Sequence, residues 1–147
     1  MVLGIFGLML YEIRVQLQEI EPPIWRVLRV GPQTNLIELH KILQTAMGWS
    51  NCHLHLFEID GIMYGDGDFD WDFDVEDYRG MKLDTIFRNA RKSLVYVYDL
   101  GDDWQHDISL LTSVEGSPGE SVSCIAGGRD CPTTWLVGIS FPGNYYP

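Results

Sequence analysis

From Tyr11 the chain alternates. Tyr11, Ile13, Val15 and Leu17 fall on one side, and Glu12, Arg14, Gln16 and Gln18 on the other. A period of two over eight residues predicts a half-buried strand. Glu21-Pro22-Pro23 stops it, because proline has no N–H to give a ladder. Ile24 to Val30 is rich in β-forming residues and predicts a second strand, closed by Gly31-Pro32. The period then changes. Leu36, Leu39, Leu43 and Met47 recur at helical spacing behind Thr34 and Asn35, both good N-caps, and Gly48 follows as a C′ residue. These features predict a helix of about three turns with one apolar stripe.

Beyond it, Leu54 to Ile59 predicts a strand, Asp60-Gly61 a hairpin turn, and Ile62 to Tyr64 the returning partner. Leu83 to Arg88 predicts a short helix. Leu94 to Tyr98 is strongly β-forming, Gly101-Asp102-Asp103 turns the chain, and Trp104 to Leu111 brings it back. Thr112 to Ser123 holds Gly, Pro and Ser and is expected to be loop. The order β-β-α-β-β-(short α)-β-β implies an α+β fold: a mostly antiparallel sheet covered on one face by one main helix, with a β-grasp-like opening. At 147 residues one core is expected, over 11–132. Residues 1–10 are wholly apolar, either a first strand or an extension ahead of a start at Met9. Residues 133–147 form an atypical C-terminal tail.

Charge narrows the function classes. The formal net charge is −11, yet nine acids lie between Glu58 and Asp77 with no Lys or Arg among them. The remainder holds 12 acids against 10 bases, so the acidity belongs to one segment. That segment repels phosphate, and no basic stripe compensates, which argues against direct nucleic-acid binding and against an anionic membrane surface. Three Cys is an odd, low count, pointing to a reducing, cytoplasmic setting with thiols rather than a disulfide framework. No Gly-rich phosphate loop, nucleophile elbow or His-Glu-x-x-His occurs.

Five places carry chemistry. In Asp99-Leu100-Gly101-Asp102-Asp103-Trp104-Gln105-His106, Asp99, Asp103 and His106 are candidates for an acid/base or metal constellation, with Trp104 as a wall; the same residues suit a tight turn. His53 and His55, two apart on a strand, would share a face and could ligate one ion, or merely flank an apolar edge. Cys124 and Cys131, six residues between them, do not have zinc-knuckle spacing, but could complete a zinc site with those histidines. Otherwise they are thiols of the core. Acids take every even position from Asp66 to Glu76, with Phe69, Trp71 and Phe73 between them. If extended, this segment has an acidic and an aromatic face: a solvated edge, a calcium loop spoiled by Trp71 where glycine is needed, or a docking strip for a basic protein. Last, Trp25 and Arg26 follow the Pro pair. Arg26 could latch onto Asp99 or Asp103, or hold an anion. Trp25, Arg26, Trp49 and Trp104 are the candidate binding residues. His40 lies one step from the helix stripe and is expected to be partly buried.

Several motifs occur in a fixed order: Ile20-Glu21-Pro22-Pro23-Ile24-Trp25-Arg26, Leu39-His40, Gly48-Trp49, His53-Leu54-His55-Leu56-Phe57, Tyr98 to His106, Cys124-Ile125-Ala126-Gly127 and Cys131-Pro132. Over Tyr11 to Pro132 this resembles the plasmid Ri open-reading-frame-three-like family, found on plasmids and as passengers in transposable elements. The resemblance implies an α+β domain of unestablished activity and carries over no catalytic residue. The family's Pro-Glu-Asp and Gly-Gly continuation is absent, since Thr133-Thr134-Trp135-Leu136 follows Cys131-Pro132. Two functions are therefore expected: a protein-binding or accessory module, or a metal-dependent hydrolase-like enzyme using the His/Asp cluster.

Overall fold

The computed structural model describes residues 8–88, 93–116, 120 and 122–128. Its elements are β1 (Leu8–Leu17), β2 (Trp25–Val30), α1 (Leu36–Met47), β3 (His55–Ile59), β4 (Ile62–Gly65), β5 (Glu76–Asp77), α2 (Leu83–Arg88), β6 (Ser93–Tyr98), β7 (Trp104–Gly116) and β8 (Ser123–Gly128). All eight strands form one sheet in the order β5-β4-β3-β6-β7-β1-β2-β8. Neighbours run antiparallel except β4 and β5.

This corrects the expected architecture. Among the described residues the fold is mostly sheet with two short helices, of twelve and six residues, rather than an α+β sheet covered by one main helix, and eight strands stand where six were expected. The β-grasp analogy falls with it. Besides the two-residue β5, two stretches of strand were invisible to local pattern. β7 runs on through Thr112–Gly116, expected to be loop, because Leu8–Glu12 supplies a ladder for it. β8 forms on the outer side of β2, in register from Trp25↔Gly128 to Arg29↔Ser123. The first strand takes in Leu8–Leu10, part of the apolar opening. The tail 133–147 and Cys131 lie outside the described residues.

The core forms where the two periods meet. Ile13, Val15 and Leu17 of β1, Leu28 and Val30 of β2, Phe57 of β3, Tyr96 and Tyr98 of β6, and Ile108 of β7 pack with Leu36, Leu39, Leu43 and Met47 of α1. Asn35 caps α1 through a reciprocal pair: its Oδ1 accepts from the Glu38 N–H at 2.8 Å, and Glu38 Oε1 accepts from the Asn35 N–H at 3.3 Å. The starts of both helices are tied together, the Leu36 N–H donating to Met81 and the Leu83 N–H to Thr34. Asn35→Ala is expected to cost about 1 kcal/mol, read as a lower urea midpoint, since it orphans a helix N–H. An unchanged midpoint would remove the cap's role.

Candidate functional site

The end of α1 positions one wall of the site. Gly48 takes the left-handed conformation, φ 78°, that closes a helix at C′, and the next N–H, of Trp49, returns to the Gln44 carbonyl at 2.8 Å. That turn drives Trp49 under the sheet end, within 5.3 Å of Tyr98, 5.7 Å of Trp104 and 6.1 Å of His106 between ring centroids. Trp49 Nε1–H donates to His106 Nε2 at 3.1 Å. His106 Nδ1 therefore carries the proton and donates to the Tyr96 carbonyl at 3.0 Å. Burial pulls its pKa down to about 4. Both ring nitrogens are committed inside the core, so His106 is not presented to a substrate.

Its expected carboxylate partners do not bond to it; Asp103 is exposed and Asp99 partly buried. Asp99 and Asp103 adopt left-handed backbone, φ 64° and 58°, which Asp tolerates better than most residues. Asp99 Oδ1 accepts the N–H groups of Gly101 and Asp102 at 3.1 and 3.4 Å, the turn-forming role of this residue. Asp103 Oδ2 accepts from Gln105. A cavity of about 250 Å³ opens between this turn and the end of β1, lined by Gln18, Glu19, Asp102, Asp103 and Trp104 among others.

The two expected histidine ligands part company. His53 stands before β3, half exposed, with Nε2 3.7 Å from Asp99 Oδ2. His55, the first residue of β3, is partly buried beside Phe57, Tyr78 and Tyr96. Its ring lies flat on His40, centroids 3.5 Å apart and planes 6° from parallel, and its Nε2 meets the Tyr78 hydroxyl at 3.0 Å. Burial first, and then the neighbouring His40, pulls the His55 pKa down to about 3; burial lowers that of His40 too.

His40, expected only to be partly buried, belongs to a closed circuit. The Asn51 N–H donates to Gln44 Oε1 at 2.6 Å, and Gln44 Nε2 donates to the Tyr96 hydroxyl at 2.8 Å. Tyr96 must then donate to His40 Nδ1, at 2.7 Å, and His40 Nε2–H to Asn51 Oδ1, at 2.8 Å. Sequence reasoning missed this set. The available signal was position: residue 40 follows Leu36 by four and so shares its helix face.

Cys124 sits in β8, five strands from β3 in the sheet order, which is about 24 Å away at 4.8 Å per strand. Among the described residues no group of three or more His, Cys, Asp or Glu side chains could hold a metal ion. The zinc set of His53, His55 and Cys124 is thus dispersed. Arg26 does not latch onto Asp99 or Asp103. It is wholly buried in β2, and its guanidinium donates to the carbonyls of Ala46, Trp25 and Gly128. Ala46 lies in the last turn of α1, which has no basic residue of its own, so Arg26 complements that helix end. Trp25 lies across Gly128 and under the Arg14 guanidinium, 4.3 Å from its ring centroid.

The acidic run does not meet the condition of being extended. Asp66 winds it: its Oδ1 accepts the Asp68 N–H, and its carbonyl accepts both the Phe69 N–H and Trp71 Nε1–H. The Trp71 indole then closes over Gly65, where an added methyl would also meet Leu56 and Val75. Phe69 and Phe73 meet Trp71 at steep angles, 58° and 60° between planes, at 4.6 and 5.8 Å between ring centroids. Both stay open, at 43 % and 47 % exposure, within the series Asp68, Asp70, Asp72 and Asp74.

The model of the plasmid pRiA4b ORF-3-like protein family matches residues 9–140. The uncharacterized protein y4hQ of Sinorhizobium fredii is 31 % identical over 122 residues, covering 82 % of this chain and 63 % of that protein. The chain therefore spans less than two thirds of that relative's length. The crystal structure of a protein of unknown function, MM3350 from Methanosarcina mazei Go1, is similar with a TM-score of 0.77 and 30 % identity, over 85 % of this chain and 72 % of that one. No helix among the described residues is long and apolar enough to cross a membrane.

Proposed function

This chain belongs to the plasmid pRiA4b ORF-3-like protein family, and we infer that it works as a protein-binding module whose contact surface is the loop 66–77. The observation that carries this reading is the aromatic ridge Phe69-Trp71-Phe73, two of whose rings stand open among carboxylates. Covering a phenylalanine is worth about 1.5–3 kcal/mol, so the ridge supplies the apolar centre that a small interface needs. The flanking acids supply steering and choice of partner. The hydrolase alternative is weakened: His106 is enclosed, and the metal set is scattered across the sheet.

The test uses a labelled peptide of Leu with equal numbers of Lys and Arg, followed by fluorescence anisotropy. Phe69→Ser with Phe73→Ser is expected to weaken binding by about tenfold or more, while the melting temperature holds because both rings are exposed. Equal affinity of the variant, or equal binding of an acidic control peptide, overturns the reading.

A further inference from the structure

The geometry of the loop 66–77 points further: the cationic group it selects is a guanidinium, so the partner is a protein segment rich in arginine rather than lysine. This rests on the loop's being the contact surface. Asp70, Asp72, Asp74 and Glu76 make no ion pair among the described residues. Four neighbouring carboxylates without a counter-charge favour a cationic occupant. They share their stretch of chain with the three inclined, contacting rings of Phe69, Trp71 and Phe73, so charge and aromatic surface alternate at the scale of one side chain.

That alternation separates the two cations. An ammonium is a compact, strongly hydrated point charge that keeps its water beside a carboxylate. A guanidinium is planar and weakly hydrated. It can lie on a ring face while its in-plane N–H groups reach carboxylates at the rim. The loop already seats one of its own. Arg79 Nε donates to both oxygens of Asp77, at 3.1 and 2.9 Å, and Nη1 lies 3.5 Å from Asp68 Oδ2. One guanidinium thus bridges carboxylates from the two ends of the loop. It holds the Asp77 carboxyl below the usual carboxylate range. The carboxylates of Asp70, Asp72 and Asp74, beside Phe69 and Phe73, lack such an occupant among the described residues.

Two peptides of equal length, one with six Arg and one with six Lys in a Gly/Ser background, would be titrated against the full chain by anisotropy at about 0.15 M salt, where screening suppresses long-range attraction. The arginine peptide is expected to bind about five- to tenfold more tightly. Phe69→Leu with Phe73→Leu keeps apolar bulk, removes the ring faces, and should bring the ratio to about one. Asp70→Asn, Asp72→Asn and Asp74→Asn together should weaken both peptides alike. Equal affinities for the two peptides in the natural protein, or a preference that survives the leucine pair, overturns the guanidinium assignment and leaves the contact surface standing. Binding of neither peptide overturns both.

Discussion

Lowering the pH from 7.5 to 4.5 should unfold the protein or bring it close to unfolding, through histidines rather than carboxylates. In the folded state His55 is held near pKa 3 and His106 near 4, chiefly by burial, against the ordinary 6.5. Above pH 6.5 both rings are neutral whether the chain is folded or not. Below it the unfolded chain takes up protons that the folded one refuses. Unfolding then consumes protons, and stability falls with pH until the folded values are passed. Each tenfold loss of proton affinity is worth about 1.4 kcal/mol, and pH 4.5 lies two units below the ordinary value, so each ring accounts for about 2–3 kcal/mol there; the open edge of His55 reduces its share. His40 is affected in the same direction. Stabilities of about 5–15 kcal/mol leave little after such a loss. Urea midpoints at half-unit steps of pH would measure it. His55→Phe, which keeps a flat ring on His40, should lower the slope by about one proton. A midpoint that stays flat from pH 7.5 to 4.5 would show that these rings are not held neutral.

How far the sequence discloses this structure depends on how local each feature is. The helix Leu36–Met47 was legible because its cap, stripe and terminal glycine lie within fifteen residues and act on one another. The strand Ser123–Gly128 was not. Cys124-Ile125-Ala126-Gly127-Gly128 has weak β preference, and only the exposed edge of β2 gives it a ladder. Likewise Thr112–Gly116 is loop-like in composition and becomes strand because Leu8–Glu12 lies beside it. The acidic run failed for another reason. Alternation argued for an extended chain, but Asp66 offers its neighbours' N–H groups a local oxygen and bends the segment first. At the site, the histidines two apart in sequence were paired by arithmetic, whereas the fold pairs His55 with His40 across the gap between β3 and α1. The gathering of Trp49, Tyr98, Trp104 and His106 follows from strand register, Tyr98 lying opposite Trp104, which no spacing rule reveals.

Tyr96→Phe should cost about 2–4 kcal/mol although it removes one oxygen, because that oxygen is bonded at once by Gln44 Nε2 and His40 Nδ1. The circuit begins at a donor that cannot be reversed. The Asn51 backbone N–H points at Gln44, so the facing atom must be Oε1 and the other end of the amide must donate. Gln44 Nε2 donates one of its two protons to the Tyr96 hydroxyl, which must send its own to His40 Nδ1. His40 is then protonated on Nε2 and closes the circuit on the side chain of the residue that began it. Without the hydroxyl, Gln44 Nε2–H and His40 Nδ1 both lose their partner inside the core, at about 1–3 kcal/mol each. Gln44→Leu alone should cost a similar amount, but very little when added to Tyr96→Phe, giving a coupling of about 1–3 kcal/mol in a double-mutant cycle. Strict additivity would mean that the circuit does not act as one unit. The same cycle bears on the surface, since the circuit holds Asn51 in its left-handed conformation, φ 54°, and the chain leaves Asn51 directly toward Cys52 and His53. Opening it should therefore loosen the approach of His53 to Asp99 while the sheet itself remains intact.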